Sequence, residues 1–303
     1  MKGLINTFLV LICAMISSCA VLTTSQVQMV NKLTVASDTV IVAPKVIFDE
    51  LAAVRLERGL FYAASFTSAA AREKEINALA AASIADLQLV NRAQVYMNVL
   101  NSYLRALRSI SNDARRTAYG TEWRGIGRNI DSLIIRMNQT DLLLDTDITV
   151  GWAKLSGQYI GYMSERYMRT RQAKTVKAFV AEGDTLVAAC ADGLIAILRE
   201  GELVELIENE SEGLKNNYSA YLLRLEASGE IPDIQHDRRY IDLMKRIEKA
   251  KYTRSRCVTA LQSLKRAHKK VADELVKRQK IDFLFDELLE LNALALYLQN
   301  QLD

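Results

Sequence analysis

The sequence predicts an all-α protein, built as an elongated antiparallel helical bundle with coiled-coil-like long first and last helices. Three observations predict it. Only two prolines, Pro44 and Pro232, and 13 glycines occur in 303 residues, too few for the frequent turns of a sheet protein. Strong helix formers, Ala, Leu, Ile, Glu, Lys and Arg, are abundant. Long segments repeat apolar residues at alternating steps of four and three, the spacing of one helix face. Half of the residues are apolar, enough for a sizeable core in a chain of this length.

Ala20 to Ala43 is rich in Thr, Ser, Val and Gln with few charges, and is expected to be a tether ending at Pro44, where a helix is expected to start. From Lys45 to Asn112 only Gly59 interrupts the helical pattern. Its second half sets Leu79, Ser83, Leu87, Val90, Gln94, Met97, Asn101 and Leu104 on one stripe. About 65 residues at ~1.5 Å each would make a rod near 100 Å, unless a break near Ser65 to Ser68 shortens it. A shorter helix is expected from Thr121 to Asn138, and a longer one from Gly151 to Arg199, with a division at Gly183-Asp184. Glu202 to Ser228 is expected as an acidic helix, and Gly229 to Pro232 as a turn. The last helix, His236 to Leu302, ends in Leu284, Leu288, Leu291, Ala295, Leu298 and Leu302, an unbroken four-three alternation. No fixed-period repeat points to a solenoid.

The N-terminus carries a different signal. Met1 and Lys2 precede an apolar run from Leu4 to Ile16, followed by the small residues Ser17 and Ser18, Cys19 and Ala20. This is the order of an export signal, and the run is too short to span a bilayer. Ile16-Ser17-Ser18-Cys19 resembles the lipobox of bacterial lipoproteins. The resemblance covers about 19 residues. It implies that Cys19 is acylated and becomes the new N-terminus, and Ala20 after it resembles the outer-membrane sorting signal. Residues 1–18 are then a signal peptide, 19–43 a lipidated N-terminus and tether, and 44–303 a single elongated helical-bundle domain. The alternative is ordinary signal cleavage near Ala20, which leaves a secreted protein.

A net charge of +3 offers no whole-chain argument for nucleic acid, and the export signal disfavours one. Charge is local instead. Residues 238–280 hold 15 Lys and Arg against 4 Asp and Glu, and residues 182–237 hold 3 against 13. Two expectations follow: the acidic and basic helices complement each other across the bundle, or Arg238, Arg239, Lys245, Arg246, Lys265, Arg266, Lys269 and Lys270 form a face for an anionic partner.

Nothing in the chain has the residue types and spacing of a particular chemistry. The two histidines, His236 and His268, lack Cys or His partners at metal-ligand spacing, so no metal or cofactor is expected. His236-Asp237 beside Asp233 lies where carboxylates cap a helix start. His268 follows Leu264 on an apolar stripe and is expected in the interior or on its flank. Cys190 and Cys257 would be an even pair if Cys19 is acylated, and either form a disulfide or sit as buried free thiols. Trp152, Tyr159 and Tyr162 fit core packing better than a ligand pocket. The expected function is a non-enzymatic cell-envelope lipoprotein serving as a structural or protein-interaction module, with the membrane, an envelope protein or a second copy as partner. The alternative is a membrane-active helical protein, motivated by the apolar stretch Leu186 to Leu198.

Overall fold

The computed structural model describes residues 22–85, 87–112, 120–140, 151–157, 165–199, 201–276 and 285–302. The fold is all-α. In chain order the helices are α1 (Thr24–Ser65), α2 (Ala69–Ala85), α3 (Leu87–Asn112), α4 (Gly120–Thr140), α5 (Trp152–Gly157), α6 (Glu165–Arg199), α7 (Gly201–Ser228), α8 (Ile234–Val276) and α9 (Asp286–Leu302).

α1 is the hub, with α2, α3, α7, α8 and α9 all packed against it. It begins twenty residues before Pro44, so residues 24–43 are helical and not a tether. The start is a capping box: Thr23 Oγ1 accepts from the Gln26 N–H at 3.2 Å, and Gln26 Oε1 accepts from the Thr23 N–H at 3.1 Å. Pro44 lies inside the helix on its buried side. A proline there deprives Val40 of its N–H partner and costs about 3 kcal/mol in an isolated helix. Burial offsets that cost. Val30, Leu33, Val40 and Ile41 are buried in the core, and each such side chain contributes about 1.5–3 kcal/mol. The Thr and Ser residues that disguise this stretch go inside by bonding back to the helix. Thr34 Oγ1 donates to the Asn31 carbonyl (3.0 Å) and Ser37 Oγ to that of Leu33 (2.6 Å).

The expected long rods are folded. The first breaks after Ser65, where the Phe66 N–H donates to the Ala63 carbonyl and the backbone turns extended. α2 then folds back so that Leu79 lies over Gly59, where an added Cβ would stand 2.2 Å from Leu79 Cδ2. The last helix is likewise two, with α9 packed on α8 and α1. Its expected stripe is the buried one: Leu288, Leu291, Ala295 and Leu298 all lie in the core. Gly183 does not divide α6, which runs continuously through it. The apolar stretch from Leu186 to Leu198 is spent on the core, with Leu186, Val187, Ala191, Leu194 and Leu198 buried. Among the described residues no helix is long and apolar enough to cross a membrane.

The α7–α8 hairpin follows its sequence closely. Gly229, at φ 69°, closes α7 in a Schellman motif: its N–H donates to the Glu226 carbonyl (3.1 Å) and the Glu230 N–H to that of Leu225 (2.9 Å). Asp233 then caps α8, its Oδ1 accepting from the Gln235 N–H at 2.9 Å.

Because residues 24–43 belong to the core, truncating a buried side chain there is expected to destabilise the whole protein. Leu33→Ala should cost about 2–5 kcal/mol, read as a lower midpoint in denaturant unfolding. A tether would leave the midpoint unchanged.

Candidate functional site

A buried polar constellation lies where α3, α6 and α8 meet. α3 presents Ala93, Tyr96, Leu100, Tyr103, Leu107 and Ile110 at steps of three and four, all buried. Tyr96 and Tyr103 are the two bulkiest, and α6 receives each in a glycine notch. A Cβ at Gly183 would stand 2.1 Å from Tyr103 Oη, and one at Gly193 2.3 Å from Tyr96 Cζ. Without these glycines the helices could not approach so closely.

Tyr103 Oη lies 2.7 Å from His268 Nε2 on α8, and His268 Nδ1 lies 3.1 Å from Asp184 Oδ1 on α6. Tyr103 Oη is also 3.3 Å from the Phe179 carbonyl. Trp152 closes the pocket edge-on to both Tyr103 (5.4 Å between centroids) and Phe179 (4.9 Å). This arrangement satisfies its hydrogen bonds in two protonation states. With neutral His268, Nδ1–H donates to Asp184 and the tyrosine hydroxyl donates to Nε2. With protonated His268, both ring N–H groups donate and the hydroxyl turns to the Phe179 carbonyl.

An Asp–His–hydroxyl order invites comparison with nucleophile activation, which needs a hydroxyl that a substrate can reach. Here Tyr103 and His268 are both 0% exposed, and only Asp184 touches solvent. Burial and the nearby Asp184 carboxylate hold the Tyr103 phenol well above its ordinary range, so the phenolate is disfavoured. The His268 hydrogen bond, with Lys269 and Lys265 adding positive potential, lowers the Asp184 carboxyl below the usual range despite partial burial. The arrangement acts as a polar clamp joining three helices.

A second clamp joins α1 to α7. Glu210, 1% exposed, accepts from Arg55 Nε at 2.6 Å and from Arg58 Nε at 2.5 Å. Asn217 adds a bond to the Arg58 carbonyl (2.9 Å). A third joins α3 to α1, where Arg108 Nη2 donates to the Thr34 carbonyl and to Asp38, both at 2.6 Å.

Among the described residues the basic segment meets the acidic segment 182–237 only in part, at Asp184 and Asp192 of α6. The described ion pairs of α8 with other helices reach α1, α6 and α9, not acidic α7. Arg239 pairs with Glu57, Arg246 with Glu50 (3.3 Å), Lys265 with Asp192 (2.5 Å) and Arg266 with Glu290 (2.7 Å). Lys270 pairs within its own helix with Glu274 at 3.9 Å. Arg238, Lys245 and Lys269 are exposed, so the eight cations do not form one open face. α8 is surrounded by those three helices for most of its length, whereas α7 meets it at the hairpin. There Tyr218 donates to Asp237, and Tyr221 Oη lies 2.8 Å from His236 Nδ1.

Cys190 and Cys257 are free and buried, so the disulfide is not made, although α6 and α8 do pack together. Cys190 Sγ instead contacts Met137 Sδ at 3.7 Å. Burial pushes both thiols up, Cys257 to about 12. Among the described residues no cluster of three or more His, Cys, Asp or Glu could hold a metal ion. Cys19, Tyr159 and Tyr162 lie outside the described residues. In the sequence the clamp is signalled only by the Ala93-Tyr96-Leu100-Tyr103-Leu107-Ile110 stripe of α3, which runs beside the stripe through Gln94 and Asn101. No family model, curated protein or solved structure matches this chain.

Three outcomes are expected. Gly183→Ala should destabilise by about 1–3 kcal/mol through overpacking, because Tyr103 is held on every side, and a thermal melt reads this directly. Asp184, with its carboxyl lowered, adds stability that is complete above the ordinary carboxylate pKa and is lost as pH falls through the lowered folded value. The gap in melting temperature between wild type and Asp184→Asn should therefore be widest near neutral pH and shrink below about pH 4. Cys190 and Cys257 should resist alkylation at pH 8 in the folded protein and both react after unfolding, as peptide mass analysis would show.

Proposed function

We propose that the chain is a non-enzymatic cell-envelope lipoprotein, exported by a signal peptide over residues 1–18, acylated on Cys19, and acting as a structural or protein-interaction module. The carrying observation is the lipobox-like Ile16-Ser17-Ser18-Cys19 directly before a folded bundle. Only Ala20, Val21 and Leu22 separate Cys19 from the Thr23 cap of α1. An acyl anchor there would hold the bundle against the bilayer with almost no slack.

In that arrangement α1, 42 residues long, reaches about 63 Å from its anchored end. Its far end packs on the α7–α8 hairpin, where Phe61 meets Tyr218 at 5.0 Å between centroids. Leu223, Ile231, Ile234 and Ile241 are exposed on that hairpin, apolar side chains that a partner could cover. The clamps described above use their polar groups to join helices, which supports a structural rather than a catalytic role.

Intact-mass analysis of the mature protein from an expressing bacterium, with membrane fractionation, tests the anchor. An acylated Cys19 N-terminus, and loss of membrane association in Cys19→Ala, are expected. An unmodified N-terminus beyond Cys19 would overturn the lipoprotein assignment in favour of a secreted protein.

A further inference from the structure

α1 buries one side and leaves the other open, and the open side is itself patterned. Lys32, Val35, Thr39, Val42, Val46 and Asp49 follow one another at steps of three, four, three, four and three. Val35 is 59% and Val42 50% exposed, Lys32 and Asp49 are exposed, and Thr39 and Val46 are half-buried. Pro44 faces the opposite, buried side. That spacing is the one a coiled-coil seam uses, and three of the six positions are valine. α1 does not need it for its own core, which is complete on the other side.

The order of residues along the seam says what fits it. Turned end for end about the midpoint between Val40 and Ile41, the seam maps onto itself. Val35 then faces Val46, Thr39 faces Val42, and Lys32 faces Asp49, each twice by symmetry. A parallel, in-register pairing would instead stack Lys32 on Lys32 and Asp49 on Asp49, which like-charge repulsion opposes. Asp49 already pairs with Lys45 at 2.5 Å and keeps oxygen lone pairs for a second cation.

We propose that α1 docks against α1 of a second copy of this chain, antiparallel, in a two-fold symmetric coiled coil centred between Val40 and Ile41. Isologous pairing of this kind is the commonest symmetry of homodimers. The proposal rests on the interaction-module assignment and names its partner, but does not depend on acylation of Cys19. In a membrane-anchored pair, antiparallel α1 helices would lie along the bilayer or bridge two facing surfaces, because their N-termini point in opposite directions.

The test is the oligomeric state of the purified full-length chain across the micromolar range, by light scattering, in detergent if the chain is acylated. Wild type is expected to be a dimer. Val42→Asp should make it monomeric, with an unchanged thermal melt of the monomer fold because Val42 is exposed. Lys32→Glu and Asp49→Lys should each weaken the dimer by about tenfold or more, since each creates two like-charged pairs in the seam. The double variant Lys32→Glu/Asp49→Lys should restore it. A wild type that is monomeric throughout would overturn the dimer while leaving the anchor and other protein partners to the fractionation experiment. A dimer indifferent to Val42→Asp would overturn the α1 seam, and failure of the double variant to rescue would overturn the antiparallel register.

Discussion

Five helices lean on α1, so the bundle depends on that helix staying continuous through Pro44. Proline cannot return a hydrogen bond to Val40, and in water the segment around it would be a poor helix. What holds it is the apolar side built by Val30, Leu33, Val40, Ile41, Ile47 and Leu51, which only a continuous helix can present to α3, α8 and α9 together. Local preference and tertiary burial disagree at Pro44, and burial has the larger sum. Helix stability in proteins is decided in this way more often than by propensity.

The rest of the interior is organised by pairs of opposites. Tyrosines of α3 meet glycines of α6, and the buried Glu210, His268 and Tyr103 each meet a polar partner across a helix boundary. Such polar contacts add little net stability beyond what apolar residues of the same shape would give, yet leaving one partner alone is costly. Glu210 between Arg55 and Arg58, and His268 between Asp184 and Tyr103, therefore act as registers. Sliding α7 along α1, or α8 along α6, would leave a buried charge or hydroxyl without its partner.

Helix ends show the same economy. Gln172 of α6 donates to the carbonyls of Ile110 and Ser111 at the end of α3 (2.8 and 3.1 Å), and Arg254 of α8 donates to the Leu198 carbonyl at the end of α6 (3.0 Å). Asp131 accepts from the N–H groups of Gly151, Trp152 and Ala153 (2.8 to 2.9 Å), fixing the start of α5. Orphan groups at the termini are thus satisfied by neighbouring helices, which couples local helix formation to assembly of the whole.

Sequence by itself determined the fold class, the α7–α8 turn and the buried stripe of α9, because these follow from local chemistry: few helix breakers, a Gly at the C-terminal cap, an Asp at the next N-cap, apolar residues at helical spacing. It also held the start of α1 in the Thr23 and Gln26 capping box, although Pro44 twenty residues later is the stronger local helix-start signal. Only the tertiary structure decided that residues 24–43 are core, that both long helical patterns fold back, that Cys190 and Cys257 stay apart as free thiols, and that the cations of α8 pair with α1, α6 and α9. The physical reason is common to all four. Each depends on which surface a residue meets at long sequence separation, and neither helical period nor composition carries that information.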